Sequence, residues 1–194
     1  MYRYTYAILD TETTGFYFDK GDRIVEIAAL KIRDGEIKED EKFTTLINPG
    51  RSIPLSATRI HNIVDEMVSG APCFADILDD LMHFLSDVDF LVMHNAKFDL
   101  GFLEAEARHA NRELRLPRVV CSVELSKNLY PQFRYHNLNA IAKNFGLSVK
   151  EGEGRHRALG DVFLTGEALL KFYEENALTF IGTVEQLANN RYSS

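Results

Sequence analysis

Cysteine is scarce in this chain. Only Cys73 and Cys121 occur, far apart and outside any CxxC or Cys/His spacing, which excludes a disulfide framework and offers no zinc site. A reducing, cytoplasmic setting is the expectation. Positive charge is also short: 29 acidic against 22 basic residues leave a net charge of −7, so the chain does not grip a polyanion by bulk electrostatics. No run approaches the roughly 18 consecutive apolar residues of a membrane span. Met1 to Asp10 has one basic residue and a short apolar run that ends in a charge, unlike a signal peptide. A soluble protein without a membrane partner is expected. Linkers, repeats and low-complexity segments are missing too, and a length of 194 residues with 45% hydrophobic side chains suits a single core.

What is present falls into two periods. The first third alternates as strands do, over Tyr4 to Asp10, Ile24 to Ile32 and roughly Lys42 to Ile47, with a turn at Asp34-Gly35 and a stop at Asn48-Pro49-Gly50. Helical spacing follows, with short helices across Ser56 to Met67 and a longer one over Phe74 to Leu85, separated by Ser69 to Pro72. Phe90 to Met93 and Val119 to Cys121 are short enough for buried strands. Helices are predicted over Lys97 to Ala110, Val123 to Leu129, Leu138 to Phe145, Ala158 to Tyr173 and Phe180 to Asn189. Strands first and strand-helix alternation afterwards make a mixed α/β sheet.

Four carboxylates stand at telling places in that pattern. Asp10 and Glu12 are two residues apart at a strand end, so both point to one face of the sheet. A D-x-E pair alone is common at polar strand ends, and its context has to raise it. Thr13-Thr14-Gly15 follows, a tight turn whose amides and hydroxyls suit a phosphate or a ribose, or simply a turn. Asp99 sits just beyond a buried strand, on the turn of helix that carries Phe102 and Leu103. Asp161 is in register with Leu164 and Ala168, beside an inward stripe. Either could be a helix cap, because acids near a helix start are favourable, but capping does not account for all four. In an open sheet, sites form outside the carboxyl ends of the strands where the winding reverses, and Asp10, Glu12 and Asp99 fall there.

Three segments, Asp10-Thr-Glu-Thr-Thr-Gly, Asn95-Ala-Lys-Phe-Asp99 and His156-Arg-Ala-Leu-Gly-Asp161, resemble in order the exonuclease motifs of the DEDD superfamily in its histidine-containing branch. Arg23-Ile-Val-Glu-Ile-Ala-Ala, Ile60-His61-Asn62-Ile63 and Asn137-Leu-Asn-Ala-Ile-Ala extend the likeness, which covers roughly Tyr4 to Tyr173. Within the branch the chain is most similar to the epsilon proofreading subunits of bacterial replicative DNA polymerases, with Asn62 where a glycine is usual. The resemblance implies a ribonuclease H-like fold with a five-stranded mixed sheet flanked by helices. It implies an exonuclease domain over residues 1–176, with 177–194 a helical extension packed on the same domain. The implied reaction is 3′-to-5′ removal of nucleoside 5′-monophosphates from a single-stranded DNA end, with a DNA polymerase subunit as a partner. The tail beyond the last catalytic helix is short for that partnership.

The chemistry of these residues agrees with that implication. Like charges raise each other's pKa, so four converging carboxylates call for cations. All-oxygen ligands favour Mg²⁺ or Mn²⁺, and two such ions about 3.5–4 Å apart would clamp the attacking and leaving oxygens of a phosphodiester. Asp10, Glu12, Asp99 and Asp161 are assigned as metal ligands. His156 is the general base for the attacking water, since an ordinary histidine titrates near pH 6.5. Five residues of continuous helix would set His156 about 140° from Asp161, which places His156 in the loop before the helix. Thr13, Thr14, His61, Ile63, Asn95 and Phe98 are the candidate contacts to the strand end. Phe16, Tyr17, Phe18, Arg134, Tyr135, His136, Arg155 and Arg157 are further candidates for holding the strand, and His83 and His109 read as solvated. An RNA- or oligonucleotide-trimming enzyme, a dinucleotide phosphodiesterase and a silent nucleic-acid-binding module remain as alternatives.

Overall fold

The computed structural model describes residues 3–148 and 156–191; Arg155 lies outside the described residues. Strand β1 (Tyr6–Thr13) is the centre of the molecule. Its side chains alternate between two cores, Tyr6 and Ile8 on one face of the sheet and Ala7 and Leu9 on the other, so both faces are covered and the strand is apolar throughout its first half. β2 (Ile24–Arg33) and β3 (Glu36–Leu46) extend the sheet as antiparallel neighbours on one side, and β4 (Phe90–Met93) and β5 (Arg118–Cys121) as parallel neighbours on the other. The order is β3-β2-β1-β4-β5.

The helices α1 (Leu55–His61), α2 (Asp65–Val68), α3 (Phe74–Phe84), α4 (Ala96–His109), α5 (Ser122–Leu129), α6 (Leu138–Phe145), α7 (Ala158–Glu175) and α8 (Phe180–Arg191) complete the described architecture. Helices α5 to α8 pack on the Tyr6 face, where α7 inserts Val162, Phe163, Leu169 and Phe172, and α8 adds Phe180, Val184 and Ala188. Helices α3 and α4 cover the Leu9 face through Phe74, Leu78, Phe102 and Leu103. Each such fully buried side chain contributes about 1.5–3 kcal/mol. A smaller cluster of Val25, Ile53, Ala57, Ile63 and Val68 seats α1 and α2.

Several boundaries differ from the sequence pattern, and β1 itself runs from Tyr6 to Thr13 rather than from Tyr4 to Asp10. β3 begins at Glu36 rather than near Lys42. Its first half is charged, but the Asp34-Gly35 turn has both residues at positive φ, the geometry that aligns two strands directly. Arg33 therefore pairs with Glu36, and the irregularity between Leu30 and Lys31 absorbs the extra residues. The short helices expected across Ser56 to Met67 are α1 and α2, separated where Asn62 adopts φ 60, ψ 18 and ends α1. Asparagine and glycine are the residues that tolerate this left-handed conformation, which is why Asn62 can end the helix here.

Candidate active site

β1 is long enough to carry both Asp10 and Glu12 within its final turn of pleat. Opposite them in the sheet stand Ala28 and Glu26. α7 crosses the same face and brings Asp161 over β1, so that one carboxylate oxygen each from Asp10, Glu12 and Asp161 lies within 4.8 Å of the others. Three carboxylates so close oppose one another's ionisation, and an all-oxygen set of this kind fits a hard divalent cation. The acidic cluster thus has the donor chemistry of a DEDD metal site.

Asp99 is not part of that triplet. It enters from the first turn of α4, is 2% exposed, and its Oδ1 accepts from the Thr11 amide at 3.1 Å and the Thr11 hydroxyl at 2.7 Å. Burial pushes its carboxyl up to about 7, against the pull of those two bonds. Thr11 is the residue between Asp10 and Glu12, so Asp99 is tied to the acidic strand between those two acids.

His156 lies in the turn before α7, exposed and at φ 59, outside the helix as its spacing from Asp161 requires. Arg157, the next residue, does not reach out to a strand of nucleic acid. Its guanidinium is bound to Glu26, with Nε 3.0 Å from Oε2. Arg23 is likewise paired with the buried Glu106 through two bonds of 2.8 and 2.6 Å, which fastens the start of β2 to α4.

A pocket of about 260 Å³ opens beside Glu12, lined by Thr11, Thr13, Gly15, Phe16, Ile60, His61 and Phe98 among others. Thr13, His61 and Phe98 are therefore on its wall. His61 is 2% exposed. Its Nδ1 accepts from the Ile63 amide at 3.0 Å, and burial lowers its pKa although the Thr13 backbone favours the charged ring. That backbone influence falls short of a hydrogen bond of normal geometry, and Nε2 is buried without a protein partner. Phe98 packs edge-on to Phe16 at 6.4 Å and against Phe102 at 5.0 Å.

Three sequence candidates are placed differently. The Ile63 side chain is fully buried in the small α1–α2 core and supports His61 from behind. Thr14 is 1% exposed, its hydroxyl donating to Asp22 at 3.2 Å and accepting from the Arg23 amide at 3.0 Å. Asn95 is exposed at φ 64 and opens α4 without capping it by its side chain. A wider cleft of about 920 Å³ runs between the end of α4 and β5, lined by Arg108, Arg112, Arg115 and Arg118, but it holds none of these residues. Of the two, the smaller pocket is the relevant one, because it shares a wall with the carboxylates.

Comparison with known proteins agrees with this geometry. A family model described as Exonuclease matches residues 7–169. The chain belongs to this exonuclease family. It is a domain of the histidine-containing DEDD type. It is 38% identical over 183 residues to a DNA polymerase III subunit epsilon-like protein of Rhodobacter capsulatus, covering 93% of this chain and 26% of that protein. DNA polymerase III subunit epsilon of Aquifex aeolicus is 32% identical, over 88% of this chain and 81% of its own length. A PolC-type DNA polymerase III of Bacillus subtilis is 38% identical over 96% of this chain and 12% of its length. The chain therefore spans about a quarter of the first relative and about an eighth of the last. Among solved structures, exonuclease X in complex with a 5′-overhanging duplex DNA superimposes with a TM-score of 0.73 at 28% identity, covering 94% of this chain and 97% of that one. The nuclease domain of 3′hExo bound to rAMP shares the fold at a TM-score of 0.78 and 13% identity, covering 89% and 94%.

Sequence reasoning about this exonuclease domain overlooked Thr11, Glu26 and Ile60. Thr11 and Glu26 are polar residues within strands, and their inward placement was already implied by the period of two. Gly15 and Gly101 were equally informative. A Cβ on Gly15 would fall 2.3 Å from Asp22, and one on Gly101 would fall 2.3 Å from the Phe18 ring. Those two gaps let the aromatic loop fold down so that Phe16, still 66% exposed, stands at the pocket's rim.

Proposed function

We propose that this domain is a 3′-to-5′ exonuclease that releases nucleoside 5′-monophosphates from single-stranded DNA ends, with Mg²⁺ or Mn²⁺ held by Asp10, Glu12, Asp99 and Asp161. The observation that carries this reading is the small, mostly apolar pocket sharing Glu12 with the three-carboxylate cluster. A pocket of that size accepts one terminal nucleoside and sets the first phosphodiester at the carboxylates, which favours removal from an end over internal cutting. Cations bound there supply positive charge to the phosphate and to the leaving 3′ oxygen. His156 takes the proton of the attacking water from its exposed turn. Phe98 and Phe16 stack on the sugar or base, while Thr13 and His61 offer polar contacts from the wall. Thr14 and Ile63 act from behind that wall, and Asn95 from the start of α4.

The relatives named as DNA polymerase III subunits support a role in replication or repair, with a polymerase subunit as partner and the cytoplasm as its place. Degradation of 5′-labelled single-stranded DNA and matched RNA, with Mg²⁺, Mn²⁺ or chelator, tests the reading. A metal-dependent ladder that shortens from the 3′ end faster on DNA than on RNA is expected. Faster loss of RNA would move the substrate to the 2′-hydroxyl class, and no cleavage of either would overturn the activity.

A further inference from the structure

The helix that carries Asp161 starts at a residue whose side chain does not cap it. The first amides of a helix need acceptors, and Arg157 at the cap position supplies none. Glu26 supplies one from β2. Its Oε2 accepts from the Ala158 amide at 3.0 Å and from Arg157 Nε at 3.0 Å, while its Oε1 takes the same Nε at 3.2 Å. The Glu26 carboxylate is buried, at 4% exposure for the residue. Its partner across the sheet is Glu12, and antiparallel partners point to the same face. Arg157 is close enough to Glu12 to feel its charge.

We propose that Glu26 is a positioning residue for the reaction: with Arg157 it sets where α7 begins, and so places His156 and Asp161 against Asp10 and Glu12. The inference rests on the exonuclease reading of the site. A helix start displaced by one residue turns Asp161 by about 100° and takes it out of the cluster. The pair also governs charge. With Glu26 replaced by a neutral side chain, the guanidinium turns to Glu12, the other carboxylate whose charge it feels, and competes with a cation there. Arg157 is thus consumed in organising the site rather than in holding the strand.

The test compares Glu26→Gln, Arg157→Gln and the double variant with the wild type. Three quantities are read: kcat and KM on single-stranded DNA with Mg²⁺, Mn²⁺ affinity of the nucleic-acid-free protein by electron paramagnetic resonance, and melting temperature. Glu26→Gln is expected to lower kcat about ten- to a hundred-fold with KM nearly unchanged and to weaken Mn²⁺ binding several-fold. The double variant recovers Mn²⁺ affinity while kcat stays low. Wild-type kcat and Mn²⁺ affinity in Glu26→Gln would overturn the proposal, as would a kcat loss explained by unfolding at the assay temperature. A raised KM with intact kcat in Arg157→Gln would make Arg157 a strand contact and overturn it too. If the wild type cleaves neither DNA nor RNA, the exonuclease reading fails, and the Mn²⁺ affinities still decide the part played by Glu26.

Discussion

Three carboxylates within 4.8 Å disfavour one another's charge, so on the proposed reading their value to the protein is catalytic rather than structural. Asp10→Ala or Asp161→Ala is expected to lower kcat on the order of 10³-fold and to leave the circular dichroism spectrum unchanged; near-normal cleavage by either would sink the two-cation assignment. His156→Ala should slow turnover on the order of 10²- to 10⁴-fold with cation binding retained. With a histidine base the rate of the chemical step should climb over roughly pH 6–7.5, and a flat profile in a single-turnover assay would reject that role. Asp99 has a different pH signature. Its folded pKa is raised to about 7 by burial, above the ordinary carboxylate value of about 3.9, so the folded state holds its proton more tightly than the unfolded chain does. The metal-free protein is therefore most favoured by this group below about pH 4 and loses that contribution as pH rises through about 7. Melting curves with chelator should show this decline, and added Mg²⁺ should reduce it, because a nearby cation favours the ionised carboxylate. The candidate ligand residues could be picked out along the chain because their types and spacing carry the chemistry. Glu26 could not, because a glutamate in a strand reveals its partner only when a segment from far along the chain arrives.

Elements show where local sequence is sufficient and where it is overruled. α6 announces both its ends, with Asn137 accepting from the Ala140 amide at 2.9 Å and Gly146 closing it at φ 66, and its extent was readable directly. β3 was half hidden, since a charged edge strand is held by backbone pairing to β2 rather than by apolar alternation. α1 ends at Asn62 for a backbone reason, which leads to a prediction. Asn62→Gly should shift stability by no more than about 0.5 kcal/mol, whereas Asn62→Val should cost about 1–2 kcal/mol and disturb His61, whose Nδ1 depends on the Ile63 amide. Urea unfolding measures the first effect and KM the second. Equal stability of the two variants would show that the left-handed conformation at Asn62 is not a constraint.

At the scale of the whole molecule, a net charge of −7 must coexist with the polyanionic substrate proposed for it. Local groups have to supply the affinity, and Arg23 and Arg157 are already bound to Glu106 and Glu26. Single-stranded DNA should therefore bind with a weak salt dependence, a log–log slope shallower than about −2 for two or three phosphates, and chelator should remove most of the affinity. Fluorescence anisotropy with the Asp161→Ala variant as control measures both, and a steep slope unaffected by chelator would point to a basic track elsewhere. Among the described residues no helix is long and apolar enough to cross a membrane. The chain's own sequence determined which faces of which elements are buried, because period two and period 3.6 follow from backbone geometry, and it determined the residue types able to hold a cation, because ligand chemistry belongs to side chains. Tertiary structure alone decided the rest. It brought Asp161 over β1, tied Asp99 to Thr11, spent Arg157 on Glu26, and shaped a pocket from residues as distant as Thr11 and Phe98, since a distance across the fold is set by how the two cores pack and not by any local pattern along the chain.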